Sequence, residues 1–273
     1  MRLLVTNDDG IDSVGLHILA EAMKPLGDVI IVAPDREYSG AGAAIGALWL
    51  TRPEVHQVKL DGFDNVWTVS GPPALCVFFA RLGAFGPKPD LIVSGINPGA
   101  NVGRSVYHSG TIGAALTARN GGINGVAVSQ SVTGFGAEGQ GWDDAIANQK
   151  WHTAATIAAE AVQAIIDSPP STPSVLNINV PNVELSELTT RRWTQVGNEP
   201  PRAMSTAKLE PKIGHEGSFY VDMSFGEERE QSSATDVGAI MAGEVSFTWL
   251  GRIQATDEGT EAIDSRIDAL LQS

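Results

Sequence analysis

Two apolar runs of strand length, separated by one segment of helical period, constrain this chain more than any other feature. Leu3-Leu4-Val5 and Val29-Ile30-Ile31-Val32-Ala33 are the runs, and Ile11 to Gly27 between them carries Leu16, Leu19, Ala20 and Met23 at helical spacing. A strand, a helix and a second strand in that order open a parallel sheet, because parallel neighbours need a crossover and a helix provides it. The predicted class is α/β: a Rossmann-like, mostly parallel sheet flanked by helices. Continuous rather than alternating apolar runs point to strands covered on both faces.

The first strand stops abruptly in Asn7-Asp8-Asp9-Gly10. Ligands of open α/β sheets bind beyond the carboxyl ends of strands, so this is an edge where chemistry is expected. Two adjacent carboxylates leaving an apolar core repel each other unless a cation joins them, and a hard divalent ion with oxygen ligands would do so. A plain solvated turn uses the same residue types. The segment lacks the glycine-rich dinucleotide fingerprint and offers carboxylates where that motif offers bare N–H groups, which excludes a nicotinamide or flavin site.

Other predicted strand ends carry polar residues as well. Asp35 to Gly42 follows the second strand and contains Ser39, a hydroxyl for a metal or phosphate or an ordinary turn residue. Leu91-Ile92-Val93 is followed by Ser94-Gly95-Ile96-Asn97-Pro98-Gly99-Ala100-Asn101. There Asn97 has an amide oxygen for a hard-metal shell, and Asn101 has donors for an anion. Ser109-Gly110-Thr111 precedes an alanine-rich helix, whose first N–H groups face an anion or are capped by the serine.

Further along, Val55 to Leu60 and Val66 to Val69 read as short strands, and Pro72-Pro73 opens a helix carrying Cys76 as a packed thiol. Gly125 to Ser129 is a strand, Gly134 to Gly141 a loop, and Trp151 to Ile166 a long helix. Val175 to Pro181 is read as the last core strand. The texture then changes, and the chain divides into a core of residues 1–183 and a β-rich extension with a terminal helix over 184–273. In that extension strands are expected around Arg192 to Val196, Phe219 to Met223 and Glu244 to Trp249. Short and terminal helices are expected at Asp236 to Ala242 and Thr260 to Leu271.

A net charge of -14 over 273 residues disfavours a long nucleic-acid track, though a small phosphorylated substrate is compatible when a cation reverses the field locally. No run of 18 apolar residues argues for a membrane span, and Met1-Arg2 leads directly into the first strand without a leader pattern. One cysteine gives no disulfide framework, so a cytoplasmic location is the expectation. Zinc-protease, esterase-elbow and Walker motifs are all absent from the sequence.

The polar segments together resemble the SurE family, the metal-dependent 5'/3'-nucleotidases also called stationary-phase survival proteins. The resemblance rests on Thr6-Asn7-Asp8-Asp9-Gly10, on Ala33-Pro34-Asp35-Arg36 with Ser39-Gly40, and on Ser94-Gly95-Ile96-Asn97 with Gly99 and Asn101. It continues through Ser109-Gly110-Thr111, Asn177-Ile178-Asn179-Val180-Pro181, and Thr235-Asp236 with Gly243 and Val245-Ser246. The resemblance implies that Asp8, Asp9, Ser39 and Asn97 bind one divalent metal ion per subunit, Mg2+ or Mn2+. It also implies that Asn101, Ser109, Gly110 and Thr111 line a phosphate pocket, and that part of the C-terminal region is exchanged within a homodimer or homotetramer. Departures from the family pattern fall at His108, Arg104-Ser105, Thr117-Ala118-Arg119 and Trp249.

The expected reaction is phosphate release from nucleoside 5'- and 3'-monophosphates by a metal-associated water, with Asp8, Asp9, Asn101, Ser109 and Thr111 as the catalytic set. A covalent aspartyl-phosphate at Asp8 is the rival chemistry. Exopolyphosphatase activity, a non-catalytic metal-dependent nucleotide-binding protein and an oligomeric scaffold are the rival functions.

Overall fold

Parallel pairing begins where the sequence first permits it. In the computed structural model, which describes residues 1–48, 50, 52–132, 146–199, 202–255 and 261–271, β1 (Arg2–Thr6) and β2 (Asp28–Pro34) pair in parallel across α1 (Val14–Met23). The chain continues through β3 (Val55–Gln57), β4 (Val66–Val69), α2 (Pro73–Arg81), β5 (Leu91–Pro98), α3 (Gly110–Asn120) and β6 (Asn124–Gln130). After α4 (Trp151–Asp167) come β7 (Val175–Val180), β8 (Arg191–Trp193), β9 (Arg202–Pro211) and β10 (Phe219–Glu228). The last elements are α5 (Asp236–Met241), β11 (Val245–Leu250) and α6 (Glu261–Leu271).

Nine strands form one sheet in the order β3-β4-β2-β1-β5-β6-β7-β11-β8, while β9 and β10 form a separate antiparallel pair. Only the β3–β4 and β7–β11 pairings within the large sheet are antiparallel. This is the expected α/β architecture. The apolar runs are buried on both faces, with alternate residues sent to opposite sides. Leu3, Val5, Ile31 and Ala33 pack beneath α1 and α4, whereas Leu4, Ile30 and Val32 pack with Leu75, Cys76, Ala114 and Ala118 of α2 and α3. Each fully buried Leu or Ile in these layers contributes roughly 1.5–3 kcal/mol.

Some elements differ from the sequence reading. Strand β5 does not end at Val93: after a register shift it resumes pairing, Asn97 with Ser129 and Pro98 with Gln130, so Asn97 lies on a strand rather than in a loop. Nor is β7 the last strand of the main sheet. β11 pairs antiparallel with it, from Ser246 opposite Asn179 to Leu250 opposite Val175, so residues on both sides of position 184 share one sheet. Strand β9 has no counterpart in the reading. Thr206 to Pro211 are exposed, and among the described residues the strand pairs with β10 alone. The glycine-rich stretch 134–141 and Thr260 lie outside the described residues. No helix among the described residues is long and apolar enough to cross a membrane.

Candidate active site

The turn after β1 is built by its own side chains. Asn7 is fully buried, and its Nδ2 donates to the Gly10 carbonyl at 3.0 Å. Gly10 has φ 99°, and a Cβ there would lie 3.2 Å from the Arg36 carbonyl carbon, so glycine lets the two strand-end loops touch. The Tyr38 N–H donates to the Asp8 carbonyl at 2.7 Å, and the Gly42 N–H donates to the His108 carbonyl at 2.9 Å. These bonds lace the loop after β2 to the β1 turn and to the start of α3.

Asp8 is buried with only 3% exposure, and its Oδ1 accepts the Thr111 hydroxyl at 2.6 Å. Burial holds this carboxyl above the ordinary carboxylate range, against the opposing pull of Thr111 and the Gly110 N–H. A Cβ at Gly110 would stand 2.7 Å from Asp8 Oδ2, so the close seat of Asp8 on the helix start requires glycine. Asp9 is in the opposite condition. Its Oδ2 is buried and has no hydrogen-bond donor among the described residues. Burial, then the charges of Asp8 and Glu37, push its carboxyl up to about 8.

The remaining candidates lie on or after the strands that flank β1 and at the start of α3. Ser39 is exposed, and its hydroxyl donates at 2.7 Å to Oε1 of Glu37, a residue the sequence reading did not single out. Asn97 is half-buried, and its Nδ2 donates to the Gly99 carbonyl at 2.7 Å. Asp9, Asp12, Glu37, Pro98, Gln149 and Trp151 line a cleft of about 620 Å³, within the roughly 300–1,000 Å³ of small-molecule sites. Ser109 caps α3, its Oγ accepting the Ile112 N–H at 3.1 Å. That leaves the hydroxyl hydrogen available.

Asn101 is buried in a polar seat on β6 and β7. Its Nδ2 donates to Ser129 Oγ at 2.9 Å, its N–H donates to Asn179 Oδ1 at 2.7 Å, and its carbonyl accepts Asn177 Nδ2 at 2.9 Å. Two residues on, the Gly103 N–H donates to Asp236 Oδ2 at 3.0 Å. The carboxylate of Asp236 also takes the N–H groups of Gly197 and Val237, each at 2.8 Å. Burial raises the Asp236 pKa despite these donors. The sequence reading assigned no site role to Glu37, Ser129, Asn177, Asn179 or Asp236. The signal for the two asparagines was their period-2 spacing on a buried strand, which puts two amides on one face.

The donor set suits a hard cation, with two carboxylates, a hydroxyl and an amide oxygen, and one buried carboxylate oxygen lacking any donor. Among the described residues no group of three or more His, Cys, Asp or Glu side chains is placed to hold a metal. A cation here would therefore rest on two carboxylates completed by neutral oxygens.

Comparison with known proteins matches residues 3–202 to the family model described as survival protein SurE. The 5'-nucleotidase SurE of Vibrio vulnificus (strain CMCP6) is 35% identical over 267 residues, 97% of this chain and 95% of that protein. The 5'-nucleotidase SurE of Xanthomonas axonopodis pv. citri (strain 306) is 35% identical over 262 residues, 94% of this chain and 93% of that protein. The crystal structure of the SurE protein from Aquifex aeolicus superposes with a TM-score of 0.71 at 29% identity, covering 100% of both chains. With the family model spanning most of its length and its fold matched end to end, the chain belongs to the SurE family.

Proposed function

We propose that the protein is a metal-dependent phosphomonoesterase that releases phosphate from nucleoside 5'- and 3'-monophosphates. The observation that carries this reading is the strand-end pair of a buried Asp8 and a half-buried Asp9, whose Oδ2 has no partner among the described residues. The 5'-nucleotidase name of both relatives supports the reaction class. Asp8, Asp9, Ser39 and Asn97 would hold one Mg2+ or Mn2+ per subunit. Bound there, the cation supplies charge neutralisation at phosphate oxygens and a water of lowered pKa.

The chain's own groups divide the rest of the work. Thr111 fixes the rotation of Asp8, and because its hydroxyl hydrogen is already donated, it serves the phosphate pocket through that carboxylate. Ser109 and Asn101 offer donors to the equatorial phosphate oxygens, and Gly110 lets the backbone approach closely. Asp9 Oδ2, free of donors, is the acceptor available for a proton leaving water.

The core of residues 1–183 carries this chemistry, and we assign assembly to the 184–273 region. Leu209, Tyr220 and Val221 on the β9–β10 arm and Ile263 and Ile267 on α6 are exposed, which favours packing on another copy in a homodimer or homotetramer. The buried free thiol of Cys76 fits a cytoplasmic location.

A phosphate-release panel tests the function. It sets 5'- and 3'-nucleoside monophosphates against polyphosphate and a generic phosphomonoester, each with Mg2+, Mn2+ or chelator. Release from the nucleotides with metal, abolished by chelator, is the expected result. Intact protein that released phosphate from none of the nucleotides would refute the enzyme reading.

A further inference from the structure

Strand β7 has two chemically distinct faces. Leu176, Ile178 and Val180 join the core beneath α4, while Asn177 and Asn179 are buried on the other side with no exposed surface. Two buried amides on a central strand require partners, because an unsatisfied polar group there costs free energy. Both turn to the backbone of one residue, Asn101: Asn179 through its two amide atoms and Asn177 through its Nδ2 alone, its Oδ1 staying buried without a partner among the described residues. Asn179 accepts the Asn101 N–H at 2.7 Å and donates to the Asn101 carbonyl at 3.2 Å, and Asn177 donates to the same carbonyl at 2.9 Å. Ser129 stands opposite Asn179 in the strand register and accepts the Asn101 side-chain amide at 2.9 Å.

Main chain and side chain of Asn101 are thus gripped independently. Among the described residues no protein group takes its second Nδ2 hydrogen or its Oδ1. A seat this fully specified for a loop residue exceeds what the turn itself needs. We infer that Asn177, Asn179 and Ser129 are positioning residues that aim the Asn101 amide at the substrate phosphate. This rests on the reading of Asn101 as a phosphate donor. They act through Asn101 and touch neither the metal-ligand carboxylates nor the reacting atoms. Aim matters because a group misplaced by about 1 Å can cost about 100-fold in rate.

The test is a double-mutant cycle on the intact protein. Asn179→Ala, Ser129→Ala and Asn101→Ala are made singly, and the first two are also combined with the third. Each variant is assayed for kcat and KM on a nucleoside monophosphate, for inhibition by inorganic phosphate and for Mn2+ affinity. Expected are losses of about 10- to 100-fold in kcat for Asn179→Ala and Ser129→Ala, with weaker phosphate inhibition and unchanged Mn2+ affinity. In the Asn101→Ala background the same substitutions should cost less than about 2-fold, because the group they aim is gone.

Equal losses with and without the Asn101 amide would show that they act elsewhere and would overturn the inference. So would wild-type turnover in Asn179→Ala and Ser129→Ala. Full turnover by Asn101→Ala alone would instead strike the reading of Asn101 as a phosphate donor, and the inference with it. If Asn179→Ala does not fold, Ser129→Ala carries the cycle, since it removes one oxygen and leaves the backbone clamp in place.

Discussion

The two halves of the strand-end site are built on opposite principles. On the amide side, Asn101 has its N–H, its carbonyl and one side-chain hydrogen engaged by Asn179, Asn177 and Ser129. On the carboxylate side, Asp8 is held by Thr111, but Asp9 keeps a buried oxygen with no donor and a carboxyl pushed up to about 8. The amide half finds most of its partners within the protein, with Asn177 Oδ1 left over, whereas the carboxylate half leaves an Asp9 oxygen that the proposed cation would take up. On the proposed reading, that difference separates the metal half of this site from the phosphate half.

The comparison breaks most visibly at Asp9. Asp9→Asn should lower metal-dependent phosphate release by more than the about 100-fold typical of residues that only support a ligand. It should also raise the melting temperature of the metal-free protein, because a repelled buried acid is removed. Activity assays and thermal melts on one preparation check both signs, and a fall in both would contradict the account. Gly110→Ala sharpens the contrast from the helix side. The new Cβ meets Asp8 at 2.7 Å, and overpacking of this kind costs about 1–3 kcal/mol, readable by urea denaturation alongside lost Mn2+ affinity.

Thr111→Val removes the hydroxyl that orients Asp8 and nearly preserves volume, so Mn2+ affinity should fall by about 10- to 100-fold in a calorimetric titration. A further effect is on the pH dependence of stability in the metal-free protein. The folded pKa of Asp9 is raised from 3.8 to about 8, so its contribution is fully present below the unfolded value and is lost as pH rises through the folded one. Melts of metal-free wild type should decline between these limits more steeply than those of Asp9→Asn.

Much of this architecture was legible in the sequence. The β1–α1–β2 opening depends on local periodicity, and the Asp8–Asp9 pair announces itself by placing two like charges where an apolar run stops. The capping role of Ser109 was readable too, as a serine ahead of a helical run. The amide side was harder, because its meaning lies in register. Asn179 faces Ser129 only once β6 and β7 are paired, and its partner Asn101 is 78 residues away in sequence. Thr111 likewise reads as a phosphate donor until the fold brings Asp8 to it across 103 residues. Strand β9 escaped notice because its Thr206 to Pro211 stretch is exposed, and burial is what writes a strand's pattern into a sequence.

The central claim is that Asp9, half-buried with one enclosed oxygen, waits as an acid for a cation, and Mn2+ binding measured against pH tests it most directly. If binding displaces the Asp9 proton, wild-type affinity should rise about tenfold per pH unit below about 8 and level off above it, with a proton released to buffer. Asp9→Asn should show weak affinity with that slope gone. Tight Mn2+ binding that ignored pH and survived Asp9→Asn would place the cation elsewhere and contradict the account.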